Sequence, residues 1–258
     1  MIFPLRRGIL VGVLCIACHG VADATLVVNP PMAIDSRVNV RVIRTADDAG
    51  GNGAPLFGSA IQQAEIFAAI NLIWSQAGID VEFDLLTGTY DDSFALSGTP
   101  GNNDPRPFGN LNDTVENAPF GITSPDPLTL SLFVVRVVPG FSQTSDDTSN
   151  GLAFVDGNGI SLWAGPNLTS FAGGRDVIAA VLAHEIGHNL GLEHNTIDEN
   201  LMRSGAGLDG ERLNAAQIAL SRSSQFVVPV PEPGAWVLLL VGLGVIVAIR
   251  RGRRAATA

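Results

Sequence analysis

Cysteine is almost missing from this chain: its only two, Cys15 and Cys18, stand within the first 24 of 258 residues. A mature protein that starts after them has no disulfide, no thiolate ligand and no cysteine nucleophile, so its stability rests on packing and bound ions. An excess of Lys and Arg is also lacking. A formal charge of −10 with 16% charged residues argues against nucleic acid or an anionic membrane as partner, since those need clustered Lys and Arg. No G-x-S-x-G elbow is present for a serine hydrolase. Histidine is scarce too: three of the four lie between positions 184 and 194, and the other, His19, is near the start.

Arg6 and Arg7 precede an apolar run from Gly8 to Cys18, and Ala22-Asp23-Ala24 follows with small-x-small form. That order is the order of a secretory signal peptide, which places residues 1–24 in the signal and the mature start near Thr25. Lipidation at Cys18 is a rival reading, though Cys15-Ile16-Ala17 is a poor approach to such a site. At the other end Pro231-Glu232-Pro233 leads into the apolar stretch Ala235 to Ile249 and then Arg250, Arg251, Arg253 and Arg254. About 15 apolar residues make a short transmembrane segment beside the ~20 that a spanning helix needs. The tail, residues 229–258, resembles the PEP-CTERM sorting signal of Gram-negative bacteria. The resemblance implies transient membrane association, removal by an exosortase-type processing enzyme, and delivery to the cell surface, the outer envelope and extracellular matrix, or the medium; a permanent anchor is the alternative.

Between these signals, residues 25–228 read as one globular domain. Arg37 to Ile43 alternates as a half-buried strand, and Ser59 to Gln76 has Ile61, Ile66, Ile70 and Ile73 at helical spacing. Asp80 to Leu86 is a second strand, completing a strand-helix-strand unit. Residues 87–126 are rich in Gly, Pro, Asn and Asp and read as a long surface loop. Leu128 to Val138 is almost continuously apolar, as befits a strand buried on both faces in the middle of a sheet. Leu152 to Val155 and Ile160 to Ala164 are short strands around a turn at Asp156-Gly157-Asn158-Gly159. A helix is expected from about Arg175–Asp176 to Asn189, ended by Gly191, and a last one from Asn214 to Arg222.

The segment His184-Glu185-Ile186-Gly187-His188-Asn189-Leu190-Gly191-Leu192-Glu193-His194 has the form HExxHxxGxxH. Four residues apart on a helix, His184 and His188 project from one face and can reach the same Zn²⁺. Glu185, beside the first ligand, is placed to hydrogen-bond a water without coordinating. Gly191 lets the chain turn out of the helix so that His194 returns as third ligand. A fourth position stays open, as in catalytic rather than structural zinc sites.

In these residues, and in Asn200-Leu201-Met202 after them, the chain resembles the metzincin clan of zinc peptidases, of matrixin or reprolysin-like type. The resemblance implies an α/β (α+β) fold: a twisted, five-stranded, mostly parallel sheet with an antiparallel edge strand, an active-site helix and a C-terminal helix. It makes Met202 the Met-turn residue beneath the metal. It also implies an endopeptidase in which a zinc-bound water, activated by Glu185, attacks a peptide bond. The protein or peptide substrate would lie extended on an edge strand within Gly151 to Ala164. Asn195 after the third histidine and the absence of a Tyr after Met202 leave the subfamily open.

Oxygen-rich loops at Asp91-Asp92, Asp104, Asp146-Asp147 and Asp156-Gly157-Asn158 raise calcium as a second ion, although none has EF-hand spacing. Asp198 and Glu199 read as surface residues. A surface-matrix protein that keeps the zinc fold without proteolysis is the rival from another class. The intact Glu185 speaks against it.

Overall fold

The computed structural model describes residues 26–86, 88–97, 122–137, 148–203 and 210–230. The expected signal at 1–24, the apolar stretch 235–249, and Asp104, Asp146 and Asp147 lie outside the described residues. Among the described residues no helix is long and apolar enough to cross a membrane.

Strand β1 (Ser36–Ala46) alternates in its first half, burying Val38, Val40 and Val42 while Arg37, Asn39 and Arg41 are only partly covered. Its second half is buried on both faces, at Ile43, Thr45 and Ala46. Helix α1 (Ala60–Trp74) begins at a capping box: Ser59 Oγ accepts from Gln62 N, and Gln62 Oε1 accepts from Ser59 N. Ile66, Ile70, Ile73 and Trp74 face the core. Ile61 does not, being 73% exposed, because five residues at about 100° each carry it off the face that Ile66 occupies. Gly78, at φ 68, reverses the chain into β2 (Ile79–Leu85), which runs parallel to β1 with Val38 opposite Val81.

The loop-rich stretch holds two short elements, β3 (Tyr90–Asp91) and α2 (Ser93–Ser97). Asp92 accepts from Ala95 N at the head of α2 and from the Tyr90 hydroxyl. Tyr90 and Ala95 join Ile43, Phe133, Val135 and Trp163 in a small second core on the face away from the main helices.

Strand β4 (Thr129–Val134) is buried at every position and, with β5 (Asn150–Ala153) and β6 (Gly159–Trp163) beyond it, lies at the centre of the path β2-β1-β4-β6-β5. β6 is parallel to β4, and β5 closes that path antiparallel to β6. The expected five-stranded sheet with one antiparallel edge is thus present, with β3 and a C-terminal β7 (Val228–Pro229) added against β1. The turn between β5 and β6 closes earlier than Asp156–Gly159: Gly157 N donates to Phe154 O, with Asp156 itself at φ 60.

Helix α3 (Ala172–Asn189) packs with α1 over the main face of the sheet, tied to it by the Arg175–Glu65 ion pair. It starts a turn earlier than its sequence suggests. Gly174 sits so close to the 3₁₀ turn Pro166–Ser170 that a Cβ would meet Leu168 O at 2.2 Å, so packing selects a start that helix propensity would not. Helix α4 (Ala215–Arg222) opens with a second capping box, Asn214 with Gln217.

Candidate metal centre

Two of the three motif histidines project from the last turns of α3, and the third arrives by way of the helix end. Leu192 N donates to Gly187 O and Gly191 N to His188 O, the paired bonds of a Schellman ending with Gly191 at φ 89. The chain then turns back and presents His194 to the helix face. His194 Nε2 lies 3.1 Å from His184 Nε2 and 3.1 Å from His188 Nε2, and the ligand atoms of the set all fall within 4.8 Å of one another.

The other ring nitrogens decide what converges there. His184 Nδ1 is 2.6 Å from Leu201 O, and His188 Nδ1 is 2.7 Å from Leu192 O. A backbone carbonyl only accepts, so both Nδ1 atoms carry the proton and both Nε2 atoms turn a lone pair toward the centre. Burial pulls the His184 pKa down to about 4 and also lowers that of His188, the carbonyl hydrogen bonds opposing. Two lone pairs aimed at one point, with His194 Nε2 3.1 Å from each of those nitrogens, form a seat for a cation. A tetrahedral ion with N ligands at ~2.0–2.1 Å would separate those nitrogens by about 3.3 Å, so the set fits zinc closely.

Glu185 leaves α3 on the side of β5 and is 6% exposed. Burial pushes its carboxyl up to about 8, with the Ala153 backbone N–H acting in the opposite direction. Its space exists because position 151 is glycine: a Cβ there would stand 2.4 Å from Glu185 Cγ. An isolated glycine in a strand is the usual mark of such a close approach, yet Gly151 falls just outside the strand expected at Leu152 to Val155.

Met202 is fully buried under α3, where a Cβ on Gly187 would come within 2.6 Å of its Sδ. It contributes no atom to the histidine set. Its neighbours do contribute: Leu201 O receives the His184 proton, and Asn195 N donates to Met202 O.

Asn189 is invisible to motif reading but central to the geometry. Wholly buried, it donates through Nδ2 to Phe154 O and Gly159 O, while Asp156 N donates to His188 O. These bonds fasten the β5–β6 turn to the end of the histidine-bearing helix. Asp198 and Glu199 are surface residues paired with Arg203 and Arg212. Of the oxygen-rich loops, Asp91 accepts from Thr89 Oγ1 and Asp92 from Tyr90 and Ala95. Among the described residues the histidines are the one group of three or more His, Cys, Asp or Glu side chains placed to hold a metal.

Residues 66–195, from the second turn of α1 through the residue after His194, match Metallo-peptidase family M12B, Reprolysin-like. The chain therefore belongs to the reprolysin-like M12B metallopeptidase family. Residues 229–254 match the PEP-CTERM protein-sorting motif. No curated protein matches the chain in sequence. Among solved structures it is similar to metalloproteinase-II from Bacteroides fragilis, at 12% identity and TM-score 0.45, over 79% of this chain and 57% of that one. It is also similar to the archaemetzincins of Methanopyrus kandleri (13%, TM-score 0.44, 75% of this chain and 97% of that) and Archaeoglobus fulgidus (18%, TM-score 0.41, 71% and 99%). The chain spans less than two thirds of the Bacteroides protein.

Proposed function

We propose that this protein is an exported zinc endopeptidase in which His184, His188 and His194 hold the metal and Glu185 is the general base. One observation carries the reading: three imidazole Nε2 atoms converge, two of them with Nδ1 committed to backbone carbonyls. When bound, zinc supplies a Lewis acid that polarises an amide carbonyl and brings the pKa of water toward ~7.

The rest of the chemistry belongs to the chain. Glu185, next to His184 and wedged against β5, takes a proton from the attacking water and passes it to the leaving nitrogen as the amide bond breaks. The edge strand β5, which among the described residues pairs with β6 alone, aligns an extended peptide by backbone hydrogen bonds across the site. Met202 supports the floor without touching the metal.

The domain plan proposed is a signal at 1–24, a catalytic domain at 25–228 and a sorting tail at 229–258. The tail associates with the membrane transiently and is removed by an exosortase-type enzyme, leaving the domain at the cell surface or released. Cleavage of a quenched casein or gelatin substrate by residues 25–230, beside Glu185→Ala and with zinc measured on both, tests the function. Chelator-sensitive activity in the parent, none in the variant and about one zinc in each is the expected result. Zinc in both without cleavage by either would favour a surface-binding protein, and no zinc in either would refute the metal centre.

A further inference from the structure

Asn200 is 6% exposed, and its side-chain oxygen receives three N–H groups: Asn195 Nδ2 at 2.6 Å, Met202 N at 3.0 Å and Gln217 Nε2 at 3.0 Å. Its own Nδ2 donates to Gln217 Oε1 at 2.9 Å. Asn200 and Gln217 thus face each other as a reciprocal amide pair between the segment under the metal site and helix α4. Two backbone donors set the orientation of that pair. Met202 N can only donate, so Asn200 must turn its oxygen there, and Asn214 N, 2.9 Å from Gln217 Oε1, imposes the same on Gln217. With both oxygens so directed, each amide offers the other its complement.

The segment fixed in this way touches two of the three histidines. Leu201, immediately after Asn200, supplies the carbonyl that takes the His184 Nδ1 proton. Asn195, immediately after His194, is bonded to Asn200 through its side chain and to Met202 O through its backbone. Turning the Asn200 amide would therefore shift the acceptor of one imidazole and the chain that carries another.

We propose that Asn200 and Gln217 are positioning residues for the zinc-binding histidines, so that helix α4 sets the geometry of a metal centre it never contacts. This rests on the metal reading given above. Outer partners of this kind typically change metal affinity by about 10–100-fold when removed.

The test separates the amide pair from the helix cap that shares Gln217. In the full-length protein, Gln217→Glu keeps an oxygen for Asn214 N but sets a second oxygen against Asn200 Oδ1. Asn214→Ala removes the other half of the capping box and leaves the pair intact. Zinc release to a chromophoric chelator and the visible spectrum of the Co²⁺-substituted protein are measured for both and for the parent. Gln217→Glu is expected to release zinc about tenfold faster or more with displaced Co²⁺ bands, and Asn214→Ala to match the parent. Should Gln217→Glu fail to fold, Asn200→Asp, which opposes Gln217 Oε1 with an oxygen, makes the same test. Parent-like release and spectrum in the pair variant, or equal acceleration in Asn214→Ala, overturns this inference alone. A parent that binds no zinc overturns the metal reading and this inference together.

Discussion

Gly151 and Glu185 occupy space that two side chains cannot share. A Cβ on Gly151 would stand 2.4 Å from Cγ and 2.6 Å from Oε1 of Glu185, so the proposed base keeps its position because an edge strand gives up a side chain.

Gly151→Ala should therefore displace the carboxylate while leaving the metal ligands untouched. Misplacing a reacting group by about 1 Å can cost ~10²-fold in rate. The expected result is a fall in kcat of that order with zinc content unchanged, read by peptide cleavage and metal analysis on the same sample. Undiminished kcat would show that Glu185 does not need this clearance.

The second close approach, Gly187 over Met202 Sδ, is one of packing. Gly187→Ala should destabilise the fold by ~1–3 kcal/mol, as overpacked cores do. Met202→Ala on its own should also destabilise, and the double variant should recover part of the loss because the methyl then has room. Urea unfolding of the four proteins measures this coupling, and strictly additive effects would refute the contact.

Asn189→Ala should loosen the β5–β6 turn from α3. Losing one buried and one partly buried hydrogen bond, and leaving Phe154 O and Gly159 O without that donor, should cost ~1–3 kcal/mol. Because β5 is the proposed peptide-aligning strand, KM for long peptides should rise more than kcat falls. Steady-state kinetics on a short and a long substrate would detect the difference, and an equal effect on both would count against strand alignment.

Glu211 offers a pH test away from the metal. The residue is buried and its carboxylate accepts from Val27 N; burial raises its pKa, and Asp176 adds to the rise. A carboxyl whose folded pKa is raised favours the fold below its ordinary value of 4.5, and that stability is lost as pH climbs through the folded pKa. Glu211→Gln should thus match the parent near pH 4 and surpass it at pH 7.5. Urea titrations at both values check the crossover; a variant weaker than the parent at both values would show that the ionised carboxylate is favoured.

Local signals carried most of the fold. The spacing of Ile66, Ile70 and Ile73 marks α1, the apolar run around Leu130 and Leu132 marks the central strand, and Gly191 ends α3 where the motif requires. What stayed hidden depends on contacts distant in sequence. Ile61 shares the apolar character of its helix but not its inner face, and α3 starts at glycine-rich Ala172–Gly174 because Leu168 packs there. β3 and α2 are too short to stand out in a loop-rich stretch, and they form by closing over Ile43 and Phe133. Of the site, the histidines, Glu185 and Met202 are legible because they share one helix and the turn after it. Asn189, Gly151, Asn200 and Gln217 are not, since each acts on a partner from another element.

Strand β7 leaves the fold in a particular way. It fills the place beside Ser36 and Arg37 that β4, which begins pairing only at Asn39, leaves free, and Val230 N closes the edge by donating to Asp35 O. A tail severed beyond Val230 takes with it none of these hydrogen bonds. The proposed processing beyond that point would then leave the hydrogen bonding of this sheet edge as it is.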